Sequence, residues 1–113
     1  LCDALLGALA LGDIGKHFPD TSAEFKGIDS KILLARVMDL VRSEGWEVGN
    51  ADITIAMQKP KLASYIVPMR ECLASVMAVP VSSVSVKATT TEKLGFVGRS
   101  EGCEVYAVVL LKK

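Results

Sequence analysis

The chain has 113 residues, which is enough for one domain with a modest core. Half of these residues are hydrophobic, yet no apolar run reaches the ~18 to 20 residues that a membrane-spanning helix needs. We therefore expect surplus apolar surface to be buried between subunits and none of it in a membrane. The 13 basic and 13 acidic residues cancel, which argues against a broad positive surface for nucleic acid.

The cysteines and the histidine argue against several kinds of site. Cys2, Cys72 and Cys103 lie far apart and form no C-x-x-C pair, so we expect reduced thiols that pack in a cytosol-like compartment. His17 is the only histidine, and one imidazole cannot form a His-rich metal site. We interpret it as a surface or packing residue. The start of the chain shows no secretory signal.

Two helices and a long loop are predicted in the first half of the chain. The opening leucines fall on one helical stripe with no capping residue before them, so the chain is expected to begin inside a helix that ends near Gly12. Residues 13–29 have no apolar period and are predicted to form a functional or mobile loop. Ser30 is the predicted N-cap of a helix that runs through Glu44 and stops at Gly45.

Alternating apolar residues predict strands at 51–58 and 83–88, and a nearly continuous apolar run predicts a third at 103–111. Between the first two strands, a helix is predicted from Ser64 to Ala78. Its start could instead lie near Val67, because Pro68 is tolerated only in the first turn of a helix. The last strand is apolar at almost every position, so both of its faces should be covered. We predict one α+β domain over residues 1–113, a two-layer sandwich with a mixed four-stranded sheet and helices on one face. A second apolar sheet face favours a closed ring of subunits.

The segment from Lys87 to Phe96 carries three consecutive threonines followed by Glu92, where the second predicted strand ends. Hydroxyls and a carboxylate flanked by cations can hold phosphate oxygens and a hard metal together. The same residues also fit a capping box, in which the side chains merely satisfy backbone N–H groups at the start of a helix. On spacing alone the capping box is favoured, because caps are far commoner than ligand sites.

Two further segments, Leu11 to Thr21 and Ile55 to Lys61, shift this balance. With the threonine segment they closely resemble 2-C-methyl-D-erythritol 2,4-cyclodiphosphate synthase, and the resemblance covers the whole chain. It implies conversion of 4-diphosphocytidyl-2-C-methyl-D-erythritol 2-phosphate to 2-C-methyl-D-erythritol 2,4-cyclodiphosphate and CMP. This is a lyase step of the non-mevalonate isoprenoid pathway, located in a bacterial cytoplasm or a plastid stroma. The resemblance also implies a homotrimer with its sheets around a threefold axis, and Zn2+ and Mg2+ as cofactors.

In the resembled family the zinc ligands, an Asp-x-His pair and a further His, correspond to positions upstream of Leu1. The chain is therefore expected to be an N-terminally incomplete domain that is inactive alone, with Asp3 close to the zinc site. The alternative is a non-catalytic trimeric module that binds a nucleotide or an isoprenoid and lacks the zinc ligands.

The resemblance assigns roles to single residues. Thr90 is the implied catalytic residue, which stabilises the reacting phosphates, and Glu92 is the implied magnesium ligand. Lys61 falls in the loop of the cytidine pocket, and Asp13 and Gly15 match residues that bind the methylerythritol hydroxyls. The implied substrate-binding residues are Asp13, Ile14, Gly15, Phe18, Pro19, Asp20, Thr21, Ser22, Met57, Lys61, Leu62, Ala63, Ala88, Thr89, Thr91, Phe96 and Arg99.

Several of these positions also have plainer interpretations. Residues 18–21 match a mobile loop of the family, but Ser22 stands where the family commonly has Asp. Phe96 and Arg99 match residues near the threefold axis, where an isoprenoid diphosphate is implied and Arg99 is expected to pair with a phosphate or with a neighbour's Glu101. Without the resemblance, the threonines are strand-end residues, Lys61 belongs to a solvated turn, and Asp13 belongs to a helix exit.

Overall fold

A computed structural model describes residues 1–19 and 27–113 of the chain. Its helices and strands form a mixed α+β arrangement. The three strands β1, β2 and β3 form one sheet in the order β2-β1-β3. The elements in chain order are α1 (Cys2–Ala8), α2 (Ile14–His17), α3 (Ser30–Ser43), β1 (Glu47–Ala56), α4 (Ile66–Met77), β2 (Val84–Thr89), α5 (Gly95–Gly98) and β3 (Glu104–Lys112).

The central strand β1 is parallel to β2 and antiparallel to β3, so the prediction of a mixed sheet is confirmed. Ile53 lies opposite Val86 on one side and opposite Ala107 on the other. The predicted fourth strand is not confirmed, because the described residues supply three extended segments and the remaining apolar periods fold as helices. Threefold packing of the sheets remains a prediction.

The helix starts differ from the sequence prediction in two places. Asp29, and not Ser30, is the N-cap of α3, because its carboxylate accepts a hydrogen bond from the Lys31 N–H. The predicted loop over residues 13–29 also contains α2, a single turn that is capped by Asp13. One turn is too short to show an apolar period, which explains why the sequence pattern did not reveal it.

The helix after β1 begins as the sequence predicted. A short 3-10 turn at Ala63–Tyr65 leads into α4, which places Pro68 in the first turn, where its missing N–H is harmless. The helix ends at Ala78, which has φ of 57° and ψ of 47° in the left-handed region. That conformation is typical of helix C-termini and usually favours glycine.

The core lies between the helices and one face of the sheet. Helices α1, α3 and α4 supply buried side chains from one layer, and strands β1 and β2 supply them from the other, with partly buried side chains of β3 packed against them. Apolar contact of this kind contributes most of the stability of a small domain. The buried cluster contains Leu5, Leu6, Leu34, Val37, Met38, Val41, Val48, Ala51, Ile53, Ala74, Met77, Val84 and Val86.

The other face of the sheet is open. On β3, Tyr106 is 60% exposed, Val108 72% and Leu110 66%. The other face of β3 packs on the core through Ala107, Val109 and Leu111, and cover of the open face by a neighbouring subunit stays a prediction. Asp52 lies beside this strip and pairs with Lys87 at 3.0 Å; hydrogen bonding to Lys87 holds the pKa of Asp52 below its ordinary value. Among the described residues, no helix is both long and apolar enough to cross a membrane.

Candidate active site

The largest concentration of predicted site residues lies where β1 and β2 end. Because these strands are parallel, their carboxyl ends meet at the same edge of the sheet. The Met57 N–H donates a hydrogen bond to the Thr89 carbonyl over 2.9 Å and joins the two chain segments just beyond the strands. The segments therefore leave the sheet together and form the two walls of a cleft.

This cleft has a volume of about 420 Å³, which is within the usual size range for a small-molecule site. Most of its lining is apolar, with a few polar groups, as is typical of sites that bind a ring and orient it. The structure brings seven of the predicted residues together here, although their roles remain predictions. The lining residues are Met57, Gln58, Pro60, Lys61, Leu62, Ala63, Ile66, Ala88, Thr89 and Thr90.

The threonine segment forms a turn at one end of the cleft. The Thr90 hydroxyl oxygen accepts a hydrogen bond from the Glu92 N–H at 3.3 Å, and the Thr91 hydroxyl donates to the Leu94 carbonyl at 2.7 Å. Glu92 and Lys93 both have positive φ values, 53° and 64°. No helix starts at these threonines, since α5 begins later, after Leu94, without a side-chain cap. The capping-box interpretation is therefore wrong.

The turn presents oxygen ligands to solvent. Glu92 is exposed, as are Thr89 and Thr90, so the carboxylate is available to a ligand and is not sealed in the core. One carboxylate beside phosphate oxygens and water is the usual protein contribution to a magnesium site. The residues of the turn thus fit a magnesium ion that is shared with a phosphorylated ligand.

A zinc ion is different. Within residues 1–19 and 27–113 there is no group of three or more His, Cys, Asp or Glu side chains that could hold a metal ion. The described residues alone therefore do not supply a zinc site, and the zinc ion, whose ligands the resemblance assigns to positions upstream of Leu1, stays a prediction. No chemical step is assigned to zinc here.

A second cleft lies beside α1 and α2. Its volume is about 300 Å³, and Cys2, Asp3 and Ile14 contribute to its lining. The Asp3 carboxylate accepts a hydrogen bond from the Ile14 N–H at 2.8 Å, and Asp13 accepts one from the Lys16 N–H at 2.9 Å. Burial raises the pKa of the Cys2 thiol. The two aspartates thus hold the backbone on either side of Gly15, at Ile14 and at Lys16.

The chain matches a family model, named YgbB family, over residues 1–112. The chain belongs to the YgbB family. The 2-C-methyl-D-erythritol 2,4-cyclodiphosphate synthase of Porphyromonas gingivalis is 64% identical over 98% of this chain and 68% of its own length.

Solved structures agree with this assignment to the YgbB family. The bifunctional IspDF from Campylobacter jejuni has a TM-score of 0.94 and 46% identity, and the match covers 98% of this chain and 30% of that one. A 2C-methyl-D-erythritol-2,4-cyclodiphosphate synthase in a CDP-bound form has a TM-score of 0.89 and 32% identity, over 98% of this chain and 71% of that one. The chain thus spans less than a third of the bifunctional protein and about two thirds of the other two.

In this YgbB-family chain, other predicted site residues lie outside the main cleft. Phe18 lines a groove with His17 and Asp39 on the helix side, and Pro19 is exposed. The His17 ring nitrogen Nε2 lies 2.7 Å from the Leu11 carbonyl, in keeping with a packing role. The predictions for Asp20, Thr21 and Ser22 lie outside the described residues.

The residues predicted near a threefold axis form a separate group. Thr91 and Phe96 line a third cleft with Glu104. Arg99 makes a two-pronged ion pair with Glu101 of its own chain, at 2.9 and 3.2 Å. The two residues are close enough in sequence to pair locally, and pairing of Arg99 with a phosphate or a neighbour's Glu101 stays a prediction.

Gln58, Pro60 and Ile66 also line the main cleft but were not among the predicted site residues. The motif Gln58-x-Pro60-Lys61 was the available signal, since a rigid proline favours a preformed loop. The Lys59–Pro60 peptide is cis. Gln58 is the most informative of the three, because it also contacts the threonine turn.

Proposed function

We propose that this chain is a subunit of a 2-C-methyl-D-erythritol 2,4-cyclodiphosphate synthase. The enzyme would convert 4-diphosphocytidyl-2-C-methyl-D-erythritol 2-phosphate to the cyclic diphosphate and CMP in non-mevalonate isoprenoid synthesis. The names of the relatives support this activity. The observation that carries it is a mostly apolar cleft that reaches Thr90 directly before an exposed carboxylate at Glu92. The bacterial relative supports a bacterial cytoplasm over a plastid.

The chemistry suits a site without a protein nucleophile. The 2-phosphate of the substrate attacks its own diphosphate, so the protein must position two phosphates that repel each other and offset the charge that develops between them. Glu92 would hold a magnesium ion, which supplies positive charge at the diphosphate when bound. The apolar walls of the cleft would hold the cytosine ring and exclude water from one side of the reaction.

Thr90 is the residue assigned to the reacting phosphates. Its hydroxyl oxygen already accepts the Glu92 N–H, so its own proton is left to donate to a phosphate oxygen. This arrangement ties the orientation of the hydroxyl to the backbone of the metal-binding turn. Lys61 is exposed and lines the cleft. Its positive charge would lie near the phosphates of a nucleotide bound there.

We also propose a homotrimer whose sites form between neighbours. The open apolar strip on β3 supports burial against other copies. The separation of the predicted residues into different clefts supports a site in which one subunit supplies the nucleotide side and another the sugar side. The resemblance further suggests an isoprenoid diphosphate near Phe96 and Arg99, and a lack of any effect of such lipids on turnover would remove that suggestion.

The proposal predicts distinct effects of substitutions at Thr90 and Glu92. In the full-length protein, Thr90→Ala should lower kcat by about 100-fold, the typical loss when one transition-state donor is removed. Thr90→Ser keeps the hydroxyl and should retain most of the activity.

Glu92→Gln should raise the magnesium concentration needed for half-maximal CMP release. Wild-type protein that binds CDP but releases no CMP from the substrate would instead identify the chain as a binding module.

A further inference from the structure

Gln58 connects the two walls of the main cleft. It lies just after β1, is half-buried and lines the cleft. Its side-chain oxygen Oε1 accepts a hydrogen bond from the Lys93 N–H over 3.3 Å, across 35 positions of sequence. Lys93 directly follows Glu92, the residue assigned to magnesium. One side chain therefore contacts both the nucleotide wall and the backbone of the metal-binding turn.

This turn has a backbone that needs support. Glu92 and Lys93 are consecutive non-glycine residues in the left-handed region, a conformation that is unfavourable for side chains with a Cβ. Such residues persist where surrounding contacts over-determine them, and they cluster at functional sites. At Glu92 the support is the Thr90 hydroxyl. At Lys93 it is Gln58.

Helix α5 supports the same residue by close packing. A Cβ placed on Gly98 would lie 2.1 Å from the Lys93 carbonyl carbon and 2.6 Å from its Cα. Since both atoms belong to the backbone, they cannot move aside as a flexible side chain would. The Lys93 backbone is thus fixed by α5 and tied to the cleft by Gln58.

We propose that Gln58 is a positioning residue, which orients the Glu92 carboxylate by holding the Lys93 N–H and so couples nucleotide binding in the cleft to magnesium binding at the turn. The inference rests on the proposed function for the identity of the two ligands. Coupling of this kind is reciprocal, so magnesium strengthens nucleotide binding by the same factor as the nucleotide strengthens magnesium binding. Partners that orient a metal ligand typically change metal affinity or activity ~10 to 100-fold when they are removed.

The test is the gain in CDP affinity that magnesium chloride produces in the full-length protein, measured by titration calorimetry. Gln58→Met keeps the length of the side chain but removes the acceptor, and it should reduce this gain by about 10-fold. Gln58→Glu keeps an acceptor oxygen and should retain the gain. Lys59, at the next position of the same loop, makes no hydrogen bond to the turn. Lys59→Met should therefore also retain the gain in CDP affinity. The gain is calculated against each variant's own CDP affinity without magnesium, and Lys59→Met should also match the wild type in that affinity and in the midpoint of thermal unfolding.

The outcomes separate this inference from the proposed function. If Gln58→Met shows the wild-type gain, or if wild-type protein shows no gain, the coupling role of Gln58 is wrong. If Gln58→Met and Gln58→Glu lose the gain equally, the acceptor oxygen is not the cause and the role is again wrong. Wild-type protein that shows the gain, loses it in Gln58→Met and releases no CMP from the substrate would refute the synthase activity while supporting the coupling.

Discussion

Gly98 allows α5 to pack directly on the backbone of the threonine turn at Lys93, and this makes it the most sensitive glycine near the candidate site. In Gly98→Ala the new methyl group would meet three backbone atoms of Lys93 within 2.7 Å. We expect the helix and the turn to move apart, with a loss of about 1 to 3 kcal/mol in the free energy of unfolding, as is usual for overpacked sites. Urea unfolding of the full-length protein measures this loss. The magnesium dependence of CDP binding should weaken as well.

Gly95→Ala provides the matched control. Gly95 has φ of +67°, but nothing lies within 4 Å of a Cβ built on it. The substitution should therefore be unfavourable through backbone conformation alone, by about 1 to 2 kcal/mol. Because no atom of the turn has to move, the magnesium dependence should stay unchanged. Equal effects of both alanine variants on magnesium would contradict the packing argument.

At the residue scale, the sequence alone did not decide the chemistry of the site. Thr89, Thr90 and Glu92 stand in one short motif that can hold phosphate and a metal, but their spacing favoured a capping box, and only the family resemblance shifted that balance. Gln58 and Gly98 contact Lys93 through the tertiary fold, which no local pattern encodes. Asp3 near a zinc site stays a prediction, and its hydrogen bond to the Ile14 N–H is a contact that the sequence did not predict.

At the scale of elements, the end of α4 carries avoidable strain. Ala78 closes this helix in the left-handed region, with φ of 57°, and its side chain is exposed. Glycine adopts this conformation without the Cβ penalty. Ala78→Gly should therefore raise the free energy of unfolding by up to about 1 kcal/mol, which a shift of the urea midpoint at constant slope would show.

Ala35→Gly is the control for this prediction. Ala35 is also exposed, but it lies in the middle of α3, where glycine is less favourable than alanine by about 1 kcal/mol. The same chemical change should thus have opposite signs at the two positions. A loss of stability in both variants would show that Ala78 is not strained in the folded protein.

The pattern of the sequence located most elements because their apolar periods are long enough to recognise. Helix α3, strand β2 and strand β3 begin and end within one or two residues of the predicted bounds. Strand β1 begins at Glu47 and not at residue 51, since Gly49 and an irregular register between Val48 and Asn50 interrupt the alternation. An interruption of this kind hides a strand start from any periodicity argument.

At the scale of the whole molecule, strand β3 carries the longest run of exposed apolar side chains among the described residues. The open face of β3 exposes Tyr106, Val108 and Leu110, while its other face packs on the core through Ala107, Val109 and Leu111. Composition alone predicted surplus apolar surface, and the register of the sheet shows which face of β3 carries exposed apolar side chains. Burial of that face between subunits stays a prediction. The hydrogen bond between Tyr106 and Glu104 raises the pKa of the tyrosine and marks the polar end of this strip.

Val108→Asp tests whether this strip joins the subunits. Val108 is 72% exposed in the single chain, and burial of a valine against neighbours is worth roughly 1.5 to 3 kcal/mol per subunit. An aspartate there would lose the free energy of burying the valine side chain. It would also place like charges close together around the proposed threefold axis. We expect the wild-type full-length protein to sediment as a trimer and Val108→Asp as a monomer, with CMP release lost if, as proposed, each site forms between two subunits.

Val67→Asp makes the same chemical change on α4, in the helix layer, where Val67 is 53% exposed. It should leave the trimer intact, because helix α4 packs on the opposite face of the sheet from the strip on β3. The comparison thus separates a specific loss of the interface from a general effect of an added charge. A Val108→Asp protein that remains trimeric, or dissociation in both variants, would exclude the open face of β3 as the surface that holds the subunits together.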